Sequence, residues 1–448
     1  MANSAQLRNE IAAGKWDDKL RALYGDATQE ICRQRARYCA ALEQFELYFG
    51  PGRQVQVYSA PGRAELGGNH TDHQHGYGLA AAVTLDLVAV AAHNTDGYVR
   101  VKSRGFNKLD VIDLTVEGPQ EGESTHSASL IRGIAEGFRA AGKAVGGFDA
   151  YTASDVLRGS GLSSSAAFEM GMAAIWNGEY GCGLAPAELA KICQYAENTY
   201  FGKPSGLLDQ LTQRSGPALS LRILQTPSSR FWKMIHADGL LPPGMSLCVT
   251  DTRGSHSELT GEFAAIRQEM EQIAAFLGKK VLGQVTESAF WAALPALRKA
   301  CGDRAVLRAI HYFEENARTL AQRDALQARQ FDAFAALVLE SGRASFALCQ
   351  NVYCSTDVRH QGLSVALALS QSILQGSTGA WRMQGRRLCR HHSGVCSPEP
   401  AGTLSQRDRA GIRQGQLLHS ASAGAGGSES DLKTKRICKI LQMRFFVY

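Results

Sequence analysis

Hydrophobic and polar positions alternate along several segments of the chain with the two-residue period of half-buried strands. The alternation predicts a strand in RQVQVYSA (53–60), and a strand, a turn and a second strand in LDLVAVAAHNTDGYVRVKS (85–103). SLCVTDT (246–252) is a further strand candidate. These segments predict β-structure in both halves of the chain.

Elsewhere apolar residues recur every three to four positions, which predicts amphipathic helices. The predicted helices are SASLIRGIAEGFRAAG (127–142), SSAAFEMGMAAIWNGEYG (164–181), PAELAKICQYAENTYFG (186–202), GEFAAIRQEMEQIAAFLG (261–278) and much of 305–341. In the last region one apolar stripe, typical of a packed core, contains Phe331, Phe334, Leu337 and Val338. Because no regular strand–helix repeat emerges, the class is α+β in two domains, with a boundary near residues 225–245, where Pro-containing segments interrupt the pattern.

Composition places the chain among globular proteins. Of its 448 residues 44% are hydrophobic and 20% charged, and its 11 cysteines follow no pairing pattern. The start, MANSAQLRNEIAAGKWDDKL, has no apolar stretch of a signal peptide, and no long apolar run occurs in the chain. We therefore expect a cytoplasmic protein with reduced thiols and no membrane partner.

The net charge of +6 is located in the last part of the chain. Residues 386–448 hold eleven Lys or Arg against four Asp or Glu, so the preceding residues are nearly neutral. The same part contains GRRLCRHHSGVC (385–396), in which two cysteines and two histidines could ligate zinc, although the spacing is not that of a standard finger. A basic nucleic-acid arm is the other interpretation, but the segment has few aromatic residues for base stacking.

A phosphate-binding loop is the strongest chemical signal in the sequence. In RGSGLSSSAAFEMGMAA (158–174), glycines and serines lead directly into a helix, so that several backbone N–H groups point into one pocket. A simple serine N-cap is the alternative, but it needs no such run of small residues. We predict that the loop binds nucleotide phosphates.

This loop resembles the phosphate motif of the GHMP family of small-molecule kinases. Two further segments resemble the galactokinase branch of that family: APGRAELGGNHTDHQHGYGLAAAV (60–83) and CQYAENTYFGKPSGLLDQLTQ (193–213). The resemblance implies a two-domain GHMP kinase fold, with a ribosomal protein S5 domain 2-like N-terminal domain (1–235) and a ferredoxin-like C-terminal domain (236–385). It also implies ATP-dependent, Mg²⁺-dependent phosphorylation of the anomeric hydroxyl of a galactose-type sugar by a monomer that binds only small molecules.

By the same resemblance, individual residues take roles in that reaction. Asp209 accepts the proton of the attacking hydroxyl, Arg63 orients that hydroxyl and stabilises developing charge, and Ser165 and Glu197 hold Mg²⁺. The residues expected to bind ATP are Gly159, Ser160, Gly161, Leu162, Ser163, Ser164 and Ser165. The residues expected to bind the sugar are Asn69, His70, Asp72, Gly206 and Phe263.

Four positions depart from the family pattern. Asn69 stands where the signature has Glu, Phe263 where it has Tyr, Glu65 where it has Asn, and His73 where it has Tyr. A neutral residue at 69 would tolerate a carboxylate on the sugar, so a galacturonate-type hexuronate 1-kinase is one alternative. A non-catalytic sugar sensor on the same fold is another, although a sensor does not need Asp209.

The third family motif, a glycine-rich strand and loop, is missing after residue 385. Codons permitted for residues 386–397, read one base later, encode Gly-Gly-Phe-Ala-Gly-Thr-Ile-Gln-Ala-Phe-Val-Pro, which restores the motif and a strand. The histidine codons leave little choice, and they supply the required Thr and Ile. We therefore predict a frameshift near Gly385 and a disordered, out-of-frame tail over residues 386–448, without metal or nucleic acid.

Overall fold

A computed structural model describes residues 2–156, 161–203, 205–213, 220–225, 231–236, 246–251, 260–355, 357–383, 391–396 and 416–418. Thirteen helices occur in these ranges: α1 Ser4–Ala12, α2 Asp17–Tyr24, α3 Thr28–Phe49, α4 Ser127–Ala140, α5 Ser164–Glu179, α6 Pro186–Tyr195, α7 Leu208–Thr212, α8 Thr260–Phe276, α9 Glu287–Ala292, α10 Leu294–Cys301, α11 Asp303–Gln327, α12 Phe331–Ala344 and α13 Gly362–Leu374. The strands described are β1 Ala2–Asn3, β2 Gln54–Gly67, β3 Gly78–His93, β4 Tyr98–Ser103, β5 Leu109–Asp113, β6 Phe148–Ser154, β7 Ser220–Gln225, β8 Phe231–His236, β9 Ser246–Asp251, β10 Ala380–Met383, β11 His391–Cys396 and β12 Gln416–Leu418.

The chain forms two compact units. The first comprises Met1–Arg63, Ala82–Arg158 and Ser163–Ala218, and the second comprises Ala64–Ala81, Gly159–Leu162 and Leu219–Tyr448. These units differ from the predicted division at residues 235 and 236, because the signature segment 64–81 groups with residues far along the chain. Pro-rich interruptions mark linkers in a sequence, but they carry no information about which distant segments pack together.

The first unit is built on a mixed sheet with the strand order β1-β2-β3-β6-β4-β5. The predicted strand, turn and strand of residues 85–103 are present, yet β3 and β4 do not pair with each other. Instead β6 lies between them, antiparallel to β3 and parallel to β4. The tight turn at Asn94–Gly97 therefore joins β3 and β4 although β6 lies between them in the sheet.

Helices cover this sheet on both faces. On one face, Val88 and Val90 of β3 belong to a core with Leu42 and Phe45 of α3. On the other face α5 approaches β3 closely, since a Cβ atom at Gly171 would lie 3.0 Å from Leu87. Burial of alternate β3 side chains on opposite faces explains why this strand reads as almost continuously apolar.

The second unit contains a helical cluster and an antiparallel sheet. Ile266, Met270 and Ile273 of α8 pack with Val306 and Ala309 of α11. The sheet has the order β10-β11-β9-β12. The predicted stripe on α12 is core at Phe334 and Val338, which are buried.

Two short segments of the tail that is predicted to be out of frame, β11 and β12, are described as strands in the structure. β11 pairs with β10 on one side and with β9 on the other, and β12 pairs with β9. Without β11, strands β9 and β10 would each expose a row of unpaired backbone groups, and pairing satisfies those groups whatever side chains the strand carries. The remainder of residues 386–448, including Cys389, lies outside the described residues.

Candidate active site

The helix that follows the predicted phosphate loop begins without a side-chain cap. Ser163 is the N-cap of α5 and has left-handed backbone angles (φ 57°, ψ 53°), yet its hydroxyl accepts no helix N–H. Instead Ser163 Oγ donates to Asp209 Oδ2 at 2.7 Å. The first-turn amides of α5 thus receive no cap from this serine, which leaves them suited to bind an anionic group.

Asp209 lies in α7, where it is almost completely buried beside two cations. Its Oδ1 contacts the guanidinium of buried Arg63, and Lys203 lies close enough to affect its charge. Burial alone would raise the pKa of Asp209, but Arg63, Lys203 and the Ser163 hydroxyl outweigh it and hold the pKa below its ordinary value. The carboxylate is therefore ionised at neutral pH and able to accept a hydrogen bond or a proton.

Glu197 lies in a π-helical turn, Ala196–Tyr200, directly after α6. It is buried, it accepts a hydrogen bond of 3.2 Å from Ser165 Oγ, and its Oε1 contacts the Lys203 ammonium. Ser165 and Glu197, predicted from separate motifs, are thus neighbours. Irregular turns of this type inside helices frequently occur at functional sites.

A second buried carboxyl group, Glu169, lies one turn along α5 from Ser165. The Gln210 amide joins it to Glu197, because Nε2 donates to Glu169 Oε2 and to Glu197 Oε2, each at 3.0 Å. Burial and the neighbouring Glu197 charge raise the pKa of Glu169 well above its usual range. Gln210 therefore links α7, which carries Asp209, to the Glu197 turn.

The segment before Asp209 is fixed to the same turn. Asn198 Oδ1 accepts from the Ser205 amide at 2.7 Å, and Gln194 Nε2 donates to the Ser205 carbonyl at 3.2 Å. Gly206, which follows, is buried. These contacts fasten the segment that leads into Asp209 to α6 and to the turn that carries Glu197.

The sugar signature forms a buried loop in the second unit. Asn69, His70 and Asp72 are all buried, and His70 has a positive φ of 57°. The Asp72 carboxylate accepts the His73 amide at 2.9 Å. An ionised carboxylate such as that of Asp72 makes strong hydrogen bonds to hydroxyl groups, which suits a hydroxyl-rich ligand.

The backbone of this loop is held by α11. Glu315, which is completely buried, accepts the amides of Gly68 and Asn69 at 3.1 and 3.4 Å. His311 Nε2 donates to the Asn69 carbonyl at 2.9 Å, and Asn316 Oδ1 accepts the Tyr77 amide at 2.6 Å. Burial opposes the charge of Glu315, but His311, Arg382 and Arg318 keep its pKa below the ordinary value.

The Asn69 side chain belongs to a second network in this unit. Its Nδ2 donates to Glu65 Oε1 at 2.9 Å, and its Oδ1 accepts from Asn351 at 2.6 Å. Glu65 in turn pairs with buried Arg382 at 2.6 Å. The two positions at which Asn and Glu are exchanged relative to the family signature, 65 and 69, are therefore hydrogen-bonded to each other.

The described residues among those predicted for the site are divided between the two units. The first unit contains Arg63, Ser163, Ser164, Ser165, Glu197, Gly206 and Asp209, and the second contains Asn69, His70, Asp72, Gly161 and Leu162. Gly161 has a positive φ of 73°. Gly159, Ser160 and the side chain of Phe263 lie outside the described residues, and the backbone of residue 263 is in α8.

Sequence reasoning missed the residues that hold these groups in place. They are Glu169, Lys203 and Gln210 in the first unit, and His311, Glu315, Asn351 and Arg382 in the second, whereas Glu65 was noted only as a departure from the family pattern. A charged side chain inside an apolar helix is a usable signal, and Glu169 shows it in α5. In the described part of the chain, no helix is long and apolar enough to cross a bilayer.

Comparison with known proteins identifies the family. The family model described as GHMP kinases N terminal domain matches residues 129–216, and the galactokinase galactose-binding signature matches residues 43–93. A galactokinase from Streptomyces coelicolor is 33% identical over 347 residues, which cover 77% of this chain and 84% of that protein. A galactokinase from Glaesserella parasuis is 31% identical, covering 66% of this chain and 76% of that protein.

The fold agrees with solved structures of the same family. The galactokinase of Lactococcus lactis complexed with galactose has a TM-score of 0.71 at 21% identity, covering 81% of this chain and 91% of that chain. A mevalonate kinase has a TM-score of 0.54 at 14% identity, covering 79% and 95%. The α+β fold is that of the GHMP kinases, and the chain belongs to the galactokinase family of sugar 1-kinases.

Proposed function

We propose that this chain transfers the γ-phosphoryl group of ATP to the anomeric hydroxyl of galactose, giving galactose 1-phosphate and ADP, with Asp209 as the proton acceptor. The observation that carries the proposal is the Asp209 carboxylate, buried, ionised and hydrogen-bonded to the N-cap serine of α5. That bond brings a base next to a helix N-terminus suited to phosphate. Base and phosphate must meet in any sugar kinase, since the hydroxyl attacks phosphorus directly.

Arg63 has two tasks in this mechanism. Its guanidinium keeps Asp209 ionised and holds the carboxylate in one orientation. It also places positive charge where the sugar oxygen approaches phosphorus, which stabilises the charge that develops in the transition state. Asp209 takes the hydroxyl proton as the oxygen–phosphorus bond forms, and the bond from the γ-phosphorus to ADP breaks.

The donors of Ser165 and Glu197 fit Mg²⁺. Both are hard oxygen ligands, and Ser165 Oγ lies 3.2 Å from Glu197 Oε1. The buried Glu197 carboxylate contacts the Lys203 ammonium, so the surroundings of Glu197 favour a positive charge. Mg²⁺ commonly binds through one or two carboxylates together with substrate phosphates. When bound, the ion would neutralise phosphate charge during transfer.

For the sugar, we propose binding by Asn69, His70, Asp72, Gly206 and Phe263. The support is the resemblance of their segments to galactokinases, together with the burial of the loop 69–72 and its attachment to α11. We further propose a cytoplasmic monomer, because ATP is available in the cytoplasm and one chain supplies every residue of the proposed site.

The substitution Asp209→Asn tests the mechanism. It preserves size and removes the base, so kcat should fall by about 10²–10⁴-fold while ATP binding changes little. Asp357→Asn is the matched control, because Asp357 is partly exposed and pairs with His360. Equal turnover by the Asp209 variant and the wild type would remove Asp209 from the reaction.

We also propose that the chain leaves its reading frame near Gly385. The residues of β11, His391–Cys396, are those for which the shifted frame encodes Thr-Ile-Gln-Ala-Phe-Val, in which Thr, Ile, Phe and Val are strand formers. Sequencing the source gene across the Gly385 codon tests this directly. DNA whose shifted frame does not encode Gly-Gly-Phe-Ala-Gly would refute it.

A further inference from the structure

The orientation of one amide side chain in the sugar loop has consequences for two histidines. Gln74 Oε1 accepts a hydrogen bond of 3.1 Å from the backbone amide of Leu282. Because a backbone N–H can only donate, this contact fixes which end of the Gln74 amide is oxygen. Its Nε2 must then face the other way, and there it lies 3.2 Å from His73 Nδ1.

That contact determines the tautomer of His73. Since Gln74 Nε2 carries only donors, His73 Nδ1 must be the acceptor, and the single proton of the neutral ring is on Nε2. Burial, with Arg267 on α8 and His311 on α11 facing the ring, lowers the pKa of His73 to about 3, so the ring is neutral at physiological pH. His73 therefore offers one N–H donor, from Nε2.

This donor faces the neighbouring histidine. His73 Nε2 lies 3.4 Å from His70 Nδ1, and the two rings meet edge to face with centroids 5.6 Å apart. His70 Nδ1 is consequently the acceptor, which leaves the proton of its neutral ring on Nε2. A second proton on His70 would set two N–H donors against each other, so the arrangement also disfavours the charged form.

We propose that Gln74 and His73 act as positioning residues that hold His70 as a neutral imidazole with its proton on Nε2, so that His70 meets the sugar only as a hydrogen-bond donor. The role of His70 toward the sugar rests on the proposed function, whereas the position of the proton on the His70 ring does not. The sugar atom facing His70 must then be an acceptor oxygen.

The proposal explains a departure of this chain from its family. Tyr stands at position 73 in the signature, and a phenol hydroxyl can donate or accept as its surroundings require. An imidazole fixed by Gln74 can only donate toward His70. The signal in the sequence is the run His70-Thr71-Asp72-His73-Gln74, in which an amide follows two imidazoles that are three positions apart.

The test combines a spectroscopic and a kinetic measurement on the full chain. Long-range ¹H–¹⁵N spectra of protein labelled with ¹⁵N-histidine report the protonated nitrogen of each ring, and His70 and His73 are assigned by substitution. We expect both rings in the Nε2–H form from pH 6 to 8. In Gln74→Glu, which presents a carboxylate to His73 Nδ1, the His73 proton should move to Nδ1.

The kinetic arm compares two substitutions of His73. His73→Phe removes the donor to His70 and should raise the galactose KM about tenfold with little change in kcat. His73→Gln places an amide nitrogen near the former Nε2 and should restore most of that loss. His75→Asn is the control, because His75 is exposed, lies in the same loop and has a positive φ of 61° that Asn tolerates.

The outcomes separate the two proposals. A His70 ring with its proton on Nδ1 in the wild type, or equal KM values for the Phe and Gln variants, would overturn the inference. Absence of galactose phosphorylation by the wild type would instead count against the proposed function, and the spectra would still determine the tautomers.

Discussion

At the scale of single residues, several side chains of the proposed site form bonds to residues of another element and none, among the described residues, that stabilises their own helix or turn. Ser163 stands where a serine normally caps a helix, yet its hydroxyl binds Asp209. Lys203 contacts Glu197 and also lowers the pKa of Asp209. The ionisation of Asp209 is thus set by Arg63, Ser163 and Lys203, which come from three separate segments of the chain.

This arrangement predicts the pH dependence of catalysis. Because the pKa of Asp209 is held below its ordinary value, activity that requires its ionised form is complete at neutral pH and is lost only as pH falls through that lowered pKa. Lys203→Met removes one stabilising cation, so the acid limb of kcat/KM for galactose should move toward neutral pH. Lys191→Met, at an exposed position on α6, is the control. An unmoved acid limb would contradict the assignment.

The exchange of Glu and Asn at positions 65 and 69 gives a second prediction. Asn69→Glu alone would place a second carboxylate within hydrogen-bond distance of Glu65 and should lower the free energy of unfolding by about 3 kcal/mol. Adding Glu65→Asn should recover most of that loss, because one carboxylate and one amide are again paired. Urea unfolding of the two single variants and the double variant measures the coupling, and additive effects would show that the pair is not a unit.

At the scale of elements, α11 belongs to the region 305–341 that the sequence predicts to be helical, but it does more than pack against a core. Its apolar side chains pack on α8, while His311, Glu315 and Asn316 hold the sugar loop by its backbone. The pattern shows the apolar face, but it cannot show the loop contacts, since Glu315 and Gly68 are 247 positions apart in sequence.

Glu315→Gln tests the role of α11. Removing the charge weakens the bonds to the loop amides and to Arg318, and should lower the free energy of unfolding at neutral pH by about 2 kcal/mol. The pKa of Glu315 is lowered in the fold, so its stabilisation is present above the ordinary glutamate pKa and is lost as pH falls. The two proteins should therefore converge in stability in acid.

The kinetic expectation for the same variant is a higher galactose KM with an unchanged KM for ATP. Glu314→Gln is the matched control, because Glu314 is the preceding residue and its ion pair with Arg318 is half-exposed. A rise in both Michaelis constants, or a similar effect of the two substitutions, would show that Glu315 stabilises the protein generally and does not position the loop.

The residues of the site that could be predicted from the sequence are those that lie in short motifs. Ser165, Glu197 and Asp209 lie in segments that resemble motifs of the GHMP kinases, so it is this resemblance, and not the residues by themselves, that singles them out. Pairing across the sheet is not local. The insertion of β6 between β3 and β4 depends on a strand 45 or more residues later, and a tight turn in the sequence favours the simpler hairpin.

At the scale of the whole molecule, the last part of the chain determines whether the second unit is complete. β11 supplies backbone pairing to β9 and β10 on both of its sides. As written, its sequence is His-His-Ser-Gly-Val-Cys, which includes glycine and has only one β-branched residue and no Phe, Tyr or Trp to suit a central strand. The shifted frame would supply Thr, Ile, Phe and Val at these positions.

Restoring the frame near the Gly385 codon should therefore stabilise the protein. We expect Tm to rise by at least about 4 °C and kcat with galactose to increase, because a central strand gains side chains that pack. Differential scanning calorimetry of the two purified forms provides the comparison. A lower Tm in the restored form would argue that the chain as written is the native one.

The reaction itself is the most direct test of the account. The chain as written and its frame-restored form are incubated with ATP, Mg²⁺ and galactose, glucose, galacturonate or N-acetylgalactosamine, and the products are followed by ³¹P NMR and ADP release. We predict that galactose is the preferred substrate, with one ADP formed per galactose and the new phosphorus coupled to the anomeric proton. Phosphorylation at another hydroxyl, a preference for galacturonate, or no turnover by either form would contradict it.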